Sequence, residues 1–362
     1  MRIGIDISSI IYGTGVSKYT NNLVKALVRN FPEEEFVFYG GSLRNNKLLN
    51  SFSKSVDRNV ESSINPIPPK LQSILFNKLH IPIEIFLKKV DIFHSWDWYT
   101  PGSNKASLVT TIHDLTSIKY PQDTNPEITA QHKRSLQWVK KEAKAIIAVS
   151  EATKKDAIEL LGIDEQKIHV IYEALPEEQK IKENKIISKK VKEKFKLNLP
   201  YFITVASQEP RKNLNRIIKA FKPFNKKYNL VLVGKSGFDQ IENHEGVIKT
   251  GYVSDDELAA LYKNASCMVY TSLYEGFGLP ILEAFYHKTP VVTSNISSMP
   301  EVSGNAAVLV NPLSFEEITK GIEKAISQRS KFTDNGSKQL KKFSWDKVAK
   351  ETMKIYKMAY VK

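Results

Sequence analysis

Residues 267–287, CMVYTSLYEGFGLPILEAFYH, narrow the fold more than any other stretch of the chain. Cys267 to Tyr270 is a short β-rich run and reads as a buried strand. Thr271 to Gly278 form a loop with two glycines, Gly276 and Gly278. Leu279-Pro280 then opens a helix, in whose first turn the missing proline N–H costs nothing. A strand, a glycine-bearing turn and a helix N-terminus leave amide groups aimed beyond the strand, where an anion fits. Glu275 and Glu283 put two carboxylates near the same strand end, the place where open α/β sheets bind ligands. A phosphate on the amides, with carboxylates accepting hydroxyl hydrogens beside it, describes a nucleotide-sugar site. The spacing alone also fits an ordinary strand-to-helix turn whose glutamate suits the helix dipole.

The rest of the chain alternates strands and helices, which argues for parallel sheets in an α/β protein. Residues 2–7 make a first strand. A loop, Ser8–Gly15, leads to an amphipathic helix from about Val16 to Asn30 with Tyr19, Leu23, Ala26 and Leu27 on one face. The loop holds Gly13-Thr14-Gly15. A dinucleotide fingerprint needs a glycine where Lys18 stands, and a Walker motif needs Gly-Lys-Ser/Thr, so neither is present. The glycines fit either close backbone approach to a ligand or a plain tight turn. Residues 40–80 show no clear period, and Pro66, Pro68 and Pro69 mark a loop. A helix is expected near Ile83–Lys88, then strands Asp91–His94 and Ser107–Ile112, the latter ending in His113-Asp114. Trp96, Trp98 and Tyr99 suit either core packing or stacking on a sugar or lipid. A helix over about Asn125–Lys144 carries Lys133, Lys140 and Lys144 on a shared face. A strand Ala145–Val149, a helix bearing Lys154 and Lys155, and a strand Ile168–Tyr172 follow.

Residues 175–199 are rich in Lys and Glu and read as a linker with a connecting helix. Beyond them come a strand Tyr201–Ala206 and the turn Glu209-Pro210-Arg211-Lys212-Asn213, with Asn213 placed to cap a helix to about Phe224. Adjacent cations before a helix are a diphosphate clamp if they face a ligand, and a solvated basic turn otherwise. Further elements are the strand Asn229–Val233, a turn Gly234–Gly237, the strand Gly246–Thr250 and the Gly251-Tyr252-Val253 turn. A Ser254/Glu257 capping box, a strand Pro290–Thr293 and a last helix from Ser344 or Trp345 to Ala359 complete the pattern.

Composition sets the outer bounds. The 362 residues are 25% charged and 41% hydrophobic, with one cysteine, so two globular domains in a reducing, cytoplasmic setting are expected. No apolar run approaches the ~20 residues of a membrane span. A net charge of +14 favours an anionic partner: nucleic acid, a membrane surface or a phosphorylated substrate. No zinc-finger spacing or RNA-binding aromatic motif is visible, so no nucleic-acid partner is expected. No Asp-x-Asp occurs, so no metal clamp is inferred.

The string EGFGLPILEA resembles the E-x7-E motif of the retaining GT-B nucleotide-sugar glycosyltransferases of family 4, which typically reads EGFGLPxLEA. Other segments are similar to the family as well. TIHDLT resembles its VHDL-type motif, and HSWDWYTP its HSPxYxxP segment, with Trp96 where proline is usual. EPRKN resembles its phosphate-binding turn, and SNISSMPEVSGNAAVLVNP is a close match. The resemblance implies two Rossmann-like domains with parallel sheets facing an interdomain cleft. An acceptor domain would span 1–174 with a C-terminal helix, 344–362, crossing back to it; a linker would span 175–199 and a donor domain 200–343. It implies catalytic roles for His113, Glu275, Arg211 and Lys212. Gly15, Asp114, Tyr252, Phe277, Gly278, Leu279 and Glu283 would bind the donor, with Glu275 on the sugar hydroxyls, Glu283 on the ribose and the Tyr252 turn against the base. Many members carry a further arginine where Ala206 and Ser207 stand, which leaves more of the charge to Arg211 and Lys212.

By the same resemblance the reaction retains configuration and needs neither metal nor cofactor beyond the nucleotide-sugar. The first-loop pattern and EPRKN are similar to the mannosyltransferase branch that builds bacterial O-antigen, which implies GDP-mannose, with a UDP-sugar as the alternative. The acceptor would be a glycan or lipid-linked glycan, and the basic surface would hold the enzyme peripherally on the inner face of the cytoplasmic membrane. Three competitors stand beside this reading. A nicotinamide-dependent dehydrogenase lacks its fingerprint, and a non-catalytic polysaccharide or nucleic-acid binder leaves the E-x7-E string without a purpose. A sugar-nucleotide epimerase of the same fold would keep the donor site and transfer nothing.

Overall fold

The computed structural model describes residues 1–57, 60–182, 184–234 and 242–360. The chain divides into two compact units, Met1–Pro176 with Ser344–Lys362, and Glu177–Phe343. In the first, β1 (Arg2–Asp6), β2 (Glu35–Gly41), β3 (Glu61–Asn65), β4 (Ile92–Trp96), β5 (Ser107–Ile112), β6 (Ala145–Ala148) and β7 (Ile168–Val170) form one parallel sheet. Its order is β3-β2-β1-β4-β5-β6-β7. In the second, β8 (Tyr201–Val205), β9 (Asn229–Val233), β10 (Val247–Gly251), β11 (Cys267–Tyr270), β12 (Val291–Ser294) and β13 (Ala307–Val310) make another, in the order β10-β9-β8-β11-β12-β13. Each sheet therefore reverses its strand order once, between β1 and β4 and between β8 and β11. In doubly wound folds the ligand crevice opens at the carboxyl ends of those two strands. The central strands are buried on both faces, as parallel strands covered by helices must be, and β11, CMVY, is buried throughout.

The helix Gly15–Asn30 turns Tyr19, Leu23, Val24 and Leu27 into the first core, as its period requires. The last helix, Trp345–Ala359, also belongs to the first unit and packs on that helix. The Ser344 hydroxyl caps it by accepting from the Lys347 amide, and the Trp345 indole N–H donates to the Leu175 carbonyl at 3.0 Å. The second core gathers Phe202, Ile218, Phe221, Val269, Val292 and Ile322 between β8, β11, β12 and their helices.

Several expectations need correction. The described residues of 40–80 hold regular elements: the end of β2, a helix Asn46–Val56, β3 and a helix Pro69–Gln72 running into a wider turn, Ser73–Lys78. The helix expected at Ile83–Lys88 is a single tight turn, Ile83–Ile85. The expected linker 175–199 is largely part of the second unit: its helix, Lys185–Lys194, packs on the helix Asp255–Asn264. Its composition looked linker-like because only Val191 of that helix is buried. The helix after Asn125 ends at Glu142, so Lys144 lies beyond it and its amide bonds the Leu108 carbonyl at the entry to β6. The sequence pattern also leaves unmarked β2, β13 and the helices Phe315–Ser327 and Arg329–Leu340, among others. Of the turn Gly234–Gly237, residues 235–237 lie outside the described residues.

Candidate active site

The β8–β11 switch point of the second unit collects the charged residues. Past β8 the chain makes one tight turn, Pro210–Lys212, and Asn213 follows in the left-handed region with φ +63. Asn213 does not cap the next helix with its side chain. Its buried amide instead donates to the carbonyls of Thr271 (2.9 Å) and Pro312 (2.7 Å), and its oxygen accepts from Arg216 at 2.9 Å. The Leu273 amide bonds the Arg211 carbonyl at 2.7 Å. The cationic turn is thus stapled to the loop Thr271–Gly278. A cavity of about 270 Å³ lies against it, lined by Gln208, Glu209, Pro210, Asn213 and Leu273 among others.

Arg211 and Lys212 converge on Glu275. The Lys212 Nζ is 2.7 and 2.8 Å from the two carboxylate oxygens, and the Arg211 Nη1 is 3.1 Å from Oε2. Arg211 also donates to Glu209 at 2.9 Å and to the Tyr274 carbonyl at 3.2 Å. Burial alone would raise the Glu275 carboxyl. The charges of Lys212 and Arg211, with hydrogen bonds from Lys212 and the Tyr270 hydroxyl, outweigh it and bring the pKa down to about 2. Ser297 and Ser298 hold the loop from behind: both hydroxyls donate to the Glu275 carbonyl, and that of Ser298 also to the Phe277 carbonyl at 2.7 Å.

The helix Leu279–Tyr286 opens after Gly278, whose φ of +106 is open to glycine and strained for other residues, with no side-chain cap. The Phe277 ring is buried edge-on to Phe343, so this residue offers a ligand only its main chain. Glu283 is buried in that helix and already holds two donors, the Gln179 amide at 2.6 Å and the Tyr262 hydroxyl at 2.7 Å. Tyr252 stands at the end of β10, 75% exposed, after Gly251 with φ +68.

In the first unit, His113 leaves the carboxyl end of β5. Its Nδ1 is 3.1 Å from Glu173 Oε1, and the Tyr19 ring meets it edge-on at 4.6 Å. Burial disfavours the imidazolium, but the hydrogen bond and charge of Glu173, with Asp97 and Asp114 adding, hold its pKa above the ordinary histidine value. Asp114 closes its own turn by accepting from the Thr116 amide at 2.8 Å. A Cβ on Gly15 would meet nothing within 4 Å, so packing does not demand glycine there. At the β1–β4 switch point the Trp96 indole N–H donates to Asp6 at 3.1 Å, and burial raises the Asp6 carboxyl to about 6. Ser117, His132 and Asp97 form a hydrogen-bonded chain, but all three are buried, so it ties a loop to a helix and presents no nucleophile.

The sequence assigns Arg211 and Lys212 to the phosphates and Glu275 to the sugar as separate roles, and the structure places the three in contact. It had not pointed to Glu173, Tyr270, Ser297, Ser298, Gln179 or Tyr262. The serines lay in view inside SNISSMP, but nothing in the string says which carbonyls they meet. Among the described residues, no three His, Cys, Asp or Glu side chains gather as a metal site requires.

Two parallel-sheet α/β units with a charged switch point define the class, and comparison with known proteins gives the family. Residues 13–179 match the model "Glycosyltransferase Family 4", and residues 185–343 match "Glycosyl transferases group 1". The O-antigen chain mannosyltransferase B of Escherichia coli is 31% identical over 284 residues, covering 74% of this chain and 74% of that protein. The serotype-specific mannosyltransferase WbdA of Escherichia coli is 32% identical over 57% of this chain, and the match spans only 28% of its length. A glycosyltransferase from Rickettsia africae superposes with a TM-score of 0.69 at 18% identity, over 99% of this chain and 98% of that one. The chain belongs to the family 4, group 1 glycosyltransferases, and its fold is GT-B.

Proposed function

We propose that this glycosyltransferase moves mannose from GDP-mannose to a glycan or lipid-linked glycan during assembly of a bacterial surface polysaccharide, with retention of configuration. The observation that carries the reading is the convergence of Arg211 and Lys212 on Glu275 at the β8–β11 switch point. A departing nucleoside diphosphate needs its growing charge met by fixed cations and amides, and this reading gives that task to these two side chains with the uncapped helix start at Gly278–Leu279. Glu275, ionised at any physiological pH, accepts from a sugar hydroxyl while keeping its cations. Glu283 is the acceptor for ribose hydroxyls, in exchange for the Gln179 amide.

In the step itself the sugar C1–O(phosphate) bond breaks and the C1–O(acceptor) bond forms on the same face. The acceptor proton passes to the leaving phosphate oxygen. No metal and no cofactor is needed, since the two cations take the place of a divalent ion. The mannosyl choice is supported by the relatives named above, an O-antigen chain mannosyltransferase and a serotype-specific mannosyltransferase. The chain works on the cytoplasmic side, held peripherally on the inner membrane face.

Thermal unfolding with GDP or UDP at matched concentration tests the donor. A hundredfold excess over Kd adds about 2.7 kcal/mol of stability. GDP is expected to stabilise and GDP-mannose to turn over, with EDTA having no effect. Stabilisation by UDP alone, with transfer from a UDP-sugar, overturns the donor and leaves the glycosyltransferase standing.

A further inference from the structure

We propose that the segment Pro69–Ile85 of the first unit is a docking surface for an anionic lipid bilayer. It rests on the peripheral-membrane part of the reading above and not on the donor. The helix Pro69–Gln72 and the wide turn Ser73–Lys78 are inside out. A helix of a soluble domain turns its apolar stripe inward and its polar face to water. Here Gln72, Ser73 and Asn77 face inward with Phe76, all buried. Two of them are anchored there: the Gln72 amide N–H donates to the Gly41 carbonyl at 2.8 Å, while its side-chain oxygen has no partner, and Asn77 donates to the Trp98 carbonyl (2.8 Å) and accepts from the Thr100 amide (3.1 Å).

The outward residues are Leu71, Ile74 and Leu79, 41, 40 and 62% exposed, and Ile85 in the next turn is 67% exposed. Single exposed leucines are ordinary; an apolar face turned outward over polar anchors is not. The charges decide what covers it. Lys70 and Lys78 flank the apolar residues, Lys88 and Lys89 follow, and all four are exposed. The only acid among residues 66–89 is Glu84, and it is folded back onto the Ser103 hydroxyl at 2.7 Å and the amides of Asn104 and Lys105. Lys88 sits 3.8 Å from Glu61, so its charge is partly offset. Exposed apolar side chains flanked in the chain by exposed lysines match the boundary between acyl chains and anionic headgroups, where lysine stems lie along the apolar layer and ammoniums reach phosphates.

Two of the five lysines of the other basic surface have acidic partners, Lys154 with Glu165 and Lys155 with Glu159. Position within the unit adds a reason. The anchors lie at the end of β2 (Gly41) and just past β4 (Trp98, Thr100), so the patch sits at the carboxyl edge of the sheet from which His113 leaves β5. A bilayer on this patch holds a lipid-linked acceptor at that edge.

Co-sedimentation of the full chain with phosphatidylcholine vesicles, with and without phosphatidylglycerol, tests the proposal. The wild type is expected to bind only the anionic vesicles. Each of Lys70→Glu and Lys78→Glu should weaken binding about fivefold or more. The variant L71Q/I74Q/L79Q, altered only at exposed positions, should lose it while keeping its melting temperature, its stabilisation by GDP and transfer to a soluble acceptor. A Lys154→Glu/Lys155→Glu variant should bind as the wild type does. No binding to anionic vesicles at low salt, or undiminished binding by L71Q/I74Q/L79Q, overturns the proposal. So does a dimer in sedimentation velocity that this variant abolishes, since the patch then covers a second copy. Failure of GDP to stabilise the wild type bears on the donor alone, because vesicle binding is read without it.

Discussion

The Lys212 ammonium lies 2.7 and 2.8 Å from the two oxygens of Glu275, so the carboxylate assigned to the sugar and the cation assigned to the phosphate are one ion pair in the free enzyme. Removing the two members should therefore act differently. Lys212→Ala takes a charge from the leaving group and should lower kcat about 10²–10³-fold, and GDP affinity with it. Glu275→Gln keeps both cations and removes their competitor. GDP should bind as tightly or tighter, while kcat falls by the roughly 1.5–3 kcal/mol of a charge-assisted hydrogen bond. Parallel loss of GDP binding in both variants would show that Glu275 only positions the cations.

The pairing also sets an acid limit. The Glu275 carboxyl drops from an ordinary 4.5 to about 2 in the folded state. A carboxylate depressed by folding contributes stability that is present above its unfolded value and lost as pH falls through the folded one. Wild-type stability should thus fall between pH 4.5 and 2 more steeply than that of Glu275→Gln, as read by urea unfolding across that range.

His113 has the opposite sign. Its pKa is raised in the fold, so its pairing with Glu173 stabilises fully below the ordinary histidine pKa, and the benefit is lost as pH rises through the folded value. Glu173→Gln removes the charge that overcame burial. The His113 pKa, followed by NMR of the imidazole, should then drop below the ordinary ~6.5, and the alkaline loss of stability should shrink. An unchanged titration would mean that Asp97 and Asp114 hold the charge instead.

The parts of this site that the sequence displays are contiguous ones. A strand, two glycines and a proline between Cys267 and Pro280 dictate their own geometry, and the loop Thr271–Gly278 lies where that string implies. Pairs that close across long separations stay hidden. His113 and Glu173 are 60 residues apart, and no period or spacing links them. The strand β3, ESSIN, is a half-exposed edge strand of polar residues, so it lacks the alternation that marks a strand. The string Leu71–Leu79 misleads for a related reason. Leu71, Ile74 and Leu79 face out while Gln72, Ser73 and Asn77 face in with Phe76, so a burial pattern read from hydropathy is largely inverted there.

Asn213 shows the same limit at one residue, where local chemistry suggests a helix cap and tertiary contacts use the amide otherwise. Its left-handed backbone, φ +63, and its two carbonyl partners can be separated by substitution. Asn213→Gly relieves any backbone cost but leaves two buried carbonyls without the amide, about 1–3 kcal/mol. Asn213→Ala adds the left-handed penalty, roughly 1–2 kcal/mol. Urea unfolding should rank wild type, then Gly, then Ala, and both variants should lose more turnover than stability because the Arg211–Lys212 turn is no longer fixed. Equal stability of the two variants would reject the backbone part.

The last helix is held to the first sheet through a buried histidine, and that contact should make docking sensitive to acid. His94 Nδ1 is 2.6 Å from the Tyr356 hydroxyl and Nε2 is 2.8 Å from the Thr111 hydroxyl. Burial, with the nearby His113 adding, lowers the His94 pKa from 6.5 to about 3, so the ring is neutral in the fold and each nitrogen serves one hydroxyl. The unfolded chain binds a proton between those two values and the folded chain does not. Stability is therefore fully present above 6.5 and declines as pH falls toward 3, by a few kcal/mol at most. His94→Phe removes the titrating group and leaves the Tyr356 and Thr111 hydroxyls without it, about 1–3 kcal/mol at neutral pH. The variant should start less stable at pH 7 and lose less between pH 6.5 and 4. Tyr356→Phe keeps the histidine and should retain the acid slope. If His94→Phe and the wild type lose stability in parallel over that range, the proton is taken up elsewhere, and the His94–Tyr356 contact holds the helix without sensing pH.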